Sequence, residues 1–374
     1  MLDRLPIGAK ILDPMCGSGV VLRQAGHRGH YAVGIDVDPL AVLMSRVWTS
    51  RVDHLAVTDV AADVVAMAKR SRLTPIGLTQ VGACPETQQF INYWFAEKQQ
   101  NQLARLSGAI ARLAPPSSIR DLLHLALSRT IVTKHVGASL AWDVSHSRPH
   151  RMRLENDYNV FSGFESSVRA ILARLVEQPN GKICVKRGDC RDLKDLVKEK
   201  FDAVVTSPPY LNAIDYLRGH KLALVWLGYT IPELRNIRSG SIGTEKSGST
   251  RHQRTPDYPG LEALVPGISK LPIRQKSIVN KYAHDAEDIL KELQKVVVPG
   301  GKLVLVLADS VVRGVEVPSS KIFSDIACRF GFKAIGKVVR EIPAAKRYLP
   351  IAAETSSLAR RMRYESVETF TVMD

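Results

Sequence analysis

The sequence predicts an α/β fold in which a doubly wound, mostly parallel sheet is interrupted by an inserted helical subdomain. Residues 1–50 alternate short apolar runs with helical patterns, in the order KILD, VLRQAGHRG, YAVGID and PLAVLMSRVW, which is typical of a parallel sheet. Residues 52–180 then show helical periodicity over a length that exceeds an ordinary strand-to-helix connection. Strand patterns return in KICVKRGD, FDAVVTSPP and GKLVLVLADS.

These patterns divide the chain into a sheet-forming domain of residues 1–51 and 181–374 and a helical insertion of residues 52–180. We expect the insertion to recognise a target or to dock a partner. Residues 235–276 carry eight Lys and Arg side chains against three acids, among many Gly, Ser and Pro, and predict a basic flexible loop that either closes over a substrate backbone or faces solvent. The segments FKAIGKVVREIP and RYESVETFTVM predict a terminal antiparallel hairpin.

Composition limits the classes of partner and of chemistry. The 374 residues are 45% apolar and 24% charged, which is in the globular range. A net charge of +15 favours a polyanion such as nucleic acid as partner. Five scattered cysteines and ten histidines lack the spacing of a disulfide framework or a metal site. With no apolar signal core or membrane span, we expect a soluble cytoplasmic protein without a metal.

The segment LDPMCGSG predicts a cofactor-binding turn. An apolar strand ends at Asp13, and the chain turns through Gly17 and Gly19 into a helix, where absent Cβ atoms and free N–H groups suit a ligand pressed against the backbone. Asp36 ends the next strand, where a carboxylate can accept hydrogen bonds from both ribose hydroxyls. A third glycine and a following G-K-[ST] are missing, so a nucleoside-containing cofactor other than a dinucleotide or ATP is favoured.

The segment FDAVVTSPPY predicts a stiff loop at the end of another strand. Pro208 and Pro209 fix φ and lack N–H groups, so their carbonyls can point at a ligand. The Ser207 hydroxyl and the Pro208 carbonyl could accept the two hydrogens of an exocyclic amine and favour the tetrahedral nitrogen that attacks a methyl group. Tyr210 could stack on a flipped-out base.

Both motifs resemble those of amino-methylating DNA methyltransferases. The segment DPMCGSG is similar to the D-P-F-C-G-S-G motif of that family, with Met15 where the family usually has Phe, and SPPY is similar to its second motif. The resemblance implies a seven-stranded Rossmann-like sheet, S-adenosylmethionine as cofactor, and direct transfer of its methyl group to DNA. It also implies a set of site residues: Asp13, Met15, Cys16, Gly17 and Gly19 around the methionine part of the cofactor, Asp36 at its ribose, Asp189 near its adenine amine, and Ser207, Pro208, Pro209 and Tyr210 at the base.

The target base stays open at this point. In the resembled family S-P-P-Y is more typical of N4-cytosine enzymes, and D-P-P-Y or N-P-P-Y of N6-adenine enzymes, so cytosine N4 is favoured. Adenine N6, an RNA base amine and a non-catalytic nucleic-acid-binding subunit are the alternatives. Methylation at cytosine C5 is rejected because it needs a thiolate in a P-C-Q type loop, whereas Cys16 lies in the cofactor turn and Cys84 precedes its proline.

Two further features bear on the site. Members of the resembled family usually carry a helical segment ahead of the first strand, whereas here residues 1–9 precede KILD. In the family, that segment closes the methionine end of the cofactor site. We expect this side of the site to be formed by another part of the chain or by a partner chain, or to be absent because the sequence is truncated. Asn212, Asp215 and His220 follow the second motif. Asp215 or His220 could assist proton release, or these residues are ordinary polar positions on a helix face. Trp226 is expected in the core.

Overall fold

The computed structural model describes residues 1–131, 136–142, 150–151, 154–211, 216–243, 256–342 and 364–373. The strands within these ranges are β1 (Lys10–Asp13), β2 (Tyr31–Asp36), β3 (Ala141–Trp142), β4 (His150–Arg151), β5 (Ile183–Arg187), β6 (Phe201–Thr206), β7 (Val297–Leu307), β8 (Ser310–Val312), β9 (Val315–Val317), β10 (Phe332–Glu341) and β11 (Tyr364–Val372). The helices are α1 (Val20–His27), α2 (Pro39–Thr49), α3 (His54–Arg70), α4 (Thr79–Gly82), α5 (Pro85–Trp94), α6 (Glu97–Leu113), α7 (Ser117–Ile131), α8 (Val160–Leu172), α9 (Leu193–Leu196), α10 (Tyr216–Leu224), α11 (Ile231–Gly240), α12 (Leu261–Leu264), α13 (Ile273–Val296) and α14 (Ser319–Arg329). Among the described helices, none combines the length and the apolar character needed to cross a membrane.

The chain forms two compact units. The sheet unit comprises Met1–Val37, Asn180–Ala213 and Arg238–Asp374, and the helical unit comprises Asp38–Pro179 and Ile214–Ile237. The helical unit is therefore wider than the predicted insertion of residues 52–180. The sequence pattern separates α2 and α10 from the insertion because both follow strand motifs directly, but their apolar faces pack into the helical core.

The sheet unit is built on seven strands in the order β10-β11-β7-β6-β1-β2-β5. Five adjacent strands of this order, β7, β6, β1, β2 and β5, are parallel. Strand β11 pairs antiparallel with both β7 and β10. The predicted doubly wound, mostly parallel sheet and its terminal hairpin are thus confirmed. Strand order reverses between β1 and β6, and in open parallel sheets the crevice outside the carboxyl ends at such a reversal is where ligands bind.

Alternate residues of the central strands pack on opposite faces of this sheet. Ile11 belongs to an apolar cluster with Leu22 and Ala25 of α1. Leu12, the next residue along β1, belongs to a second cluster that contains residues of α13 and α14. The sheet is therefore covered on both faces, as parallel sheets require, and its strand ends are held in place by two separate sets of contacts.

The helical unit has a core of its own. Trp226 is fully buried, and its ring lies edge-on to Phe95 with 5.2 Å between the centroids. The Ser107 hydroxyl donates a hydrogen bond to the Trp226 carbonyl at 2.7 Å. The expectation that Trp226 lies in the core is confirmed, and residues 216–227 complete a core that the insertion alone would leave open.

Residues 235–276 differ from the predicted flexible loop. In the described part, α11 ends at Gly240, α12 follows, a 3-10 turn spans Ile268–Lys270, and α13 begins at Ile273. The apolar side chains between the basic residues explain this, because Leu261, Leu264, Val265 and Ile268 are all buried. Residues 244–255 lie outside the described residues.

Gly34 on β2 allows the turn after β1 to approach the sheet closely. A Cβ atom at this position would lie 2.3 Å from Leu22 Cδ1 and 3.1 Å from Cys16 Sγ. We expect Gly34→Ala to lower the free energy of unfolding by about 1–3 kcal/mol because the core is overpacked, as measured by urea denaturation. Gly336→Ala on β10 is the matched control, since nothing lies within 4 Å of its Cβ position. Equal losses in the two variants would contradict the close approach at Gly34.

Candidate active site

The two sequence motifs begin at the ends of neighbouring strands. Leu12 of β1 is paired with Val204 of β6 in parallel register. Beyond this pair, the Thr206 hydroxyl donates a hydrogen bond to Asp13 Oδ1 at 2.8 Å, and both residues are buried. The turn that starts after Asp13 and the loop that starts at Ser207 therefore leave the sheet side by side.

Asp13 is an unusual acid because its surroundings oppose ionisation. Burial raises the pKa of Asp13 to about 7, and the nearby carboxylate of Asp36 acts in the same direction. The hydrogen bonds from Thr206 and from the Met15 N–H, at 3.3 Å, partly offset this rise. Such shifts are common at binding and catalytic sites.

The turn after β1 is tied to β2 by backbone contacts. The Cys16 N–H donates to the Ile35 carbonyl at 2.9 Å, and the Gly17 N–H donates to Asp36 Oδ2 at 2.8 Å. Gly17 and Gly19 have φ of +49° and +80°, which favours glycine at both positions. No described atom lies within 4 Å of a Cβ built at Gly17, so the backbone there borders open space that a ligand can occupy.

The side chains of Met15 and Cys16 pack into two different apolar clusters of the sheet unit. The Cys16 side chain is buried in the cluster with Ile11 and Leu22, and partly buried Met15 packs against the larger cluster that includes Leu12. Met15 thus contributes apolar surface at the position where the resembled family usually has Phe.

Asp36 and Asp189 lie at the carboxyl ends of two neighbouring strands. Asp36 ends β2 and is paired with Arg187 of β5, and the Gly188 N–H donates to the Asp36 carbonyl at 3.0 Å. Asp189 follows directly. The structure therefore brings both predicted acids together with the glycine turn, along the carboxyl ends of β1, β2 and β5.

Asp189 is held by a neighbouring arginine. Its Oδ1 accepts hydrogen bonds from the Arg191 N–H and from Arg191 Nε, both at 2.9 Å, and its Oδ2 accepts from Arg191 Nη2 at 2.5 Å. Asp189 is thus the cap of the 3-10 turn Cys190–Asp192 and one half of a bidentate ion pair. Its side chain is 29% exposed, and a carboxylate has about four acceptor positions, so it can also bind a ligand.

Arg191 extends this pair into a buried network. Its side chain is 3% exposed and contacts Asp285 Oδ1 of α13 at 2.5 Å. The same guanidinium donates to the Gly240 carbonyl at 2.6 Å, and Lys281 donates to the Ser241 carbonyl at 3.3 Å. Burial lowers the pKa of Lys281, against the opposing effect of Asp285. The network joins Asp189 to α13 and to the end of α11.

The loop after β6 places its hydroxyl groups by contacts with β7 and α13. The Ser207 hydroxyl lies 3.1 Å from the Val306 carbonyl, to which it donates, and 3.2 Å from the Tyr210 hydroxyl. Ser207 is exposed, and Tyr210 is partly buried. A serine hydroxyl that donates to a carbonyl directs its lone pairs elsewhere, so Ser207 can present an acceptor to solvent or to a ligand.

The two proline carbonyls are not equivalent. Tyr282 donates its phenolic hydrogen to the Pro209 carbonyl at 3.2 Å, and burial raises the pKa of Tyr282 so that the phenol keeps this hydrogen. The prolines leave their carbonyls without a local partner, but the Pro209 carbonyl has a partner on α13, 73 positions further along the chain. Among the described residues, none donates to the Pro208 carbonyl.

Three further candidates follow the second motif in the sequence. His220 belongs to the helical unit, where its Nδ1 lies 2.5 Å from Asp38 Oδ2. Asn212 and Asp215 lie outside the described residues. Thr206, Arg191 and Tyr282 were not predicted, because their contacts with Asp13, Asp285 and the Pro209 carbonyl join segments distant in the chain. The available local signals were a polar residue at the end of an apolar strand, at Thr206, and an arginine two residues after Asp189.

The raised pKa of Asp13 predicts a pH-dependent stability. Between the ordinary value of 3.8 and about 7, the folded protein holds a proton that the unfolded chain releases, so the contribution of Asp13 to stability falls as pH rises through this window. Asp13→Asn keeps an acceptor for Thr206 but cannot ionise. We expect the stability of this variant relative to wild type to improve by roughly 1–3 kcal/mol from pH 4 to pH 8, measured by urea denaturation.

Thr206→Val tests the same assignment from the partner side. It removes the hydrogen bond that favours the Asp13 carboxylate, so the pKa of Asp13 in the folded protein should rise further. The pH range over which Asp13 lowers the stability should then extend to higher pH. A difference between Asp13→Asn and wild type that stays constant with pH would show that Asp13 titrates normally.

The Arg191 network predicts a strong dependence on its central cation. Arg191→Met removes the guanidinium that contacts buried Asp285, and we expect a loss of about 3–5 kcal/mol in the free energy of unfolding. The double variant Arg191→Met with Asp285→Leu should recover most of that loss, because no carboxylate is then buried at this position. A double variant as unstable as the single one would contradict the assignment.

Comparisons with known proteins agree with the motifs. No family model matches the chain. The Type II methyltransferase M.BsoBI from Geobacillus stearothermophilus is 22% identical, over 88% of this chain and 74% of that protein. The Type II methyltransferase M.MvaI from Kocuria varians is 21% identical, over 89% and 77%. The crystal structure of a TehB-like SAM-dependent methyltransferase from Corynebacterium glutamicum covers 99% of this chain and 83% of its own at 10% identity, with a TM-score of 0.31, which is too low to assign a function. The predicted resemblance is confirmed by the sequence relatives: this chain is similar to Type II methyltransferases over most of its length.

Proposed function

We propose that this protein transfers a methyl group from S-adenosylmethionine to the exocyclic amine of a DNA base, with cytosine N4 as the preferred target. One observation carries the proposal. The Asp13–Gly19 turn and the Ser207–Tyr210 loop leave adjacent parallel strands at the point where strand order reverses, and the Thr206–Asp13 hydrogen bond holds their starting points together. A methyl donor and an acceptor amine bound at these two segments would be neighbours.

The cofactor side fits S-adenosylmethionine on three counts. The open space beside Gly17 suits a ligand lying against the backbone, Met15 and Cys16 supply apolar wall, and Asp36 is oriented by the Gly17 N–H. Asp36 would accept from the ribose hydroxyls and Asp189 from the adenine amine. When bound, the cofactor supplies an electrophilic methyl group on a sulfonium.

The base side fits an exocyclic amine. Such an amine is a weak nucleophile because its lone pair is delocalised into the ring, and acceptors on its hydrogens favour the tetrahedral form that can attack. The Ser207 hydroxyl, which donates to the Val306 carbonyl, offers one acceptor, and the Pro208 carbonyl offers the second. Both sit on a loop whose geometry is fixed before the base arrives, so little reorganisation is needed during reaction.

Tyr210 would form the stacking surface for the base. The ring is partly buried, and its hydroxyl contacts Ser207 at 3.2 Å. Tyr282 beneath the loop holds the Pro209 carbonyl, which stiffens the segment that carries Tyr210. A base stacked here is out of the duplex, as chemistry on its amine requires.

DNA is the proposed substrate because two observations agree. The net charge of +15 favours a phosphate backbone, and the sequence relatives are named Type II methyltransferases. Cytosine N4 is preferred over adenine N6 because the SPPY segment begins with serine, as is more typical of N4-cytosine enzymes in the resembled family. Methylated adenine or RNA is an alternative outcome of the experiment below.

One role remains a prediction. We propose that the helical unit recognises the target or docks a partner. Replacing residues 60–175 by a linker would also remove partners of Trp226, including Phe95. The role of this unit is therefore better tested by surface substitutions than by deletion.

The decisive experiment is incubation with labelled S-adenosylmethionine and either duplex DNA or RNA, followed by nucleoside mass spectrometry. We expect N4-methylcytosine from DNA. Ser207→Ala should reduce the rate by roughly 100-fold or more, as loss of one preorganised polar contact does, and Tyr210→Ala should weaken base binding roughly tenfold or more through lost stacking. Both should retain cofactor binding by calorimetry, whereas Asp36→Ala should lose it.

Ser162→Ala is the control, since this exposed serine on α8 hydrogen-bonds only locally, to the Asn159 carbonyl, and should leave the rate unchanged. Full activity in both Ser207→Ala and Tyr210→Ala would refute the assigned roles. N6-methyladenine would move the target to adenine, and labelled RNA alone would replace DNA as substrate.

A further inference from the structure

The hairpin formed by β8 and β9 has an unusual residue at its tip. Val312 pairs with Val315, so Arg313 and Gly314 form a two-residue turn. Both have positive φ, +46° and +85° respectively. Turns of this kind prefer Asn-Gly or Asp-Gly. Positive φ brings the Cβ of any L-residue close to the following carbonyl oxygen, and the short polar side chains of Asn and Asp offset this cost by hydrogen-bonding locally, which Arg does not do as readily. Arg313 is one of two non-glycine residues with positive φ among those described.

The base of this hairpin is anchored firmly. Ser310 is buried, and its hydroxyl donates to the Leu211 carbonyl at 2.7 Å. Val312 and Val317 are buried in the same apolar cluster as Phe323 of α14. Arg313 and Gly314, in contrast, are exposed. The hairpin therefore holds an exposed arginine on a rigid support, although this arginine does not favour the backbone conformation that it adopts.

The position of the hairpin relates it to the candidate base loop within the same unit. It follows the carboxyl end of β7, whose Val306 carbonyl accepts from Ser207. Leu211, which anchors Ser310, is the residue immediately after Tyr210. A strand of three residues spans about 10 Å, so the tip lies about that distance from Ser310, whose hydroxyl in turn contacts Leu211.

The charges around the tip leave the guanidinium available. Among the described residues, none forms an ion pair with Arg313. Glu316 on β9 is exposed and lies opposite Val311. Asp309, before β8, accepts from the Ser320 N–H at the start of α14. A residue kept in an unfavourable conformation with no described ion pair suggests a binding role.

We propose that Arg313 binds a backbone phosphate of the DNA strand beside the base that occupies the Ser207–Tyr210 loop. This contact rests on the proposed function of that loop. The planar guanidinium donates two parallel hydrogen bonds to phosphate oxygens, and the rigid hairpin places it without ordering a flexible chain. A phosphate contact of this kind sets the register of the duplex without reading its sequence.

Substitution at the tip separates binding from folding. Arg313→Asn introduces a residue that suits the turn, so thermal stability should be unchanged or higher. We expect its dissociation constant for a fluorescein-labelled mixed-sequence DNA duplex to rise roughly threefold to tenfold in anisotropy titrations, and the slope of log K against log salt to fall by about one. Arg313→Lys is the matched control: it keeps the charge, so the salt slope should stay near the wild-type value.

The outcomes distinguish this contact from the catalytic proposal. Wild-type affinity and salt slope in Arg313→Asn would overturn the phosphate contact even if methylated DNA is formed. Weaker binding by Arg313→Asn, with no methylated nucleoside from wild type, would support a phosphate contact at Arg313 but overturn both the methyl transfer and the placement of that phosphate beside a base in the loop. Binding of RNA but not of duplex DNA by wild type would overturn the contact as stated.

Discussion

The hydrogen bond between Thr206 and Asp13 is the constraint on which the candidate active site depends. The two residues are separated by 193 positions in the chain, and their contact aligns the ends of β1 and β6, from which the glycine turn and the proline loop start. Burial at this junction opposes ionisation of Asp13 and raises its pKa to about 7. The fold thus gives up stability near neutral pH to keep an acid between the two binding segments, which is a pattern expected of a functional site rather than of a core.

A second constraint acts at the opposite side of the cofactor site. Asp36 is oriented by a neutral backbone donor, the Gly17 N–H, whereas Asp189 is oriented by the buried Arg191 guanidinium. Because Arg191 also contacts Asp285 and the Gly240 carbonyl, the position of Asp189 depends on α13 and on the end of α11. A buried cation shared by two carboxylates is destabilised when either carboxylate is removed. The position of Asp189 and the packing of α13 therefore depend on the same three side chains.

Local chemistry explains which features could be predicted from the sequence. The strand endings at Asp13, Asp36 and Thr206, the positive-φ glycines and the terminal hairpin follow from short-range patterns. The ion pair of Arg191 with Asp285 and the contact of Tyr282 with the Pro209 carbonyl join segments whose pairing only the fold decides. Long-range packing also explains the two differences from the predicted organisation. Charge and turn residues in 235–276 predict a loop, but the buried Leu261 and Leu264 form α12 in the described part. The helices α2 and α10 pack in the helical core against residues that are distant in sequence.

The order of strands along the sheet arranges the proposed functions in a line. From β2 to β7 the carboxyl ends carry Asp36, then the glycine turn, then the Ser207 loop, and then the Arg313 hairpin. Neighbouring strands lie about 4.8 Å apart, so these features span about 14 Å. A cofactor bound at the ends of β2 and β1 occupies one half of this edge, and a base at Ser207 must then approach from the side of β7. The hairpin follows the carboxyl end of β7 on that side, so the proposed phosphate contact of Arg313 would serve whichever base amine is methylated.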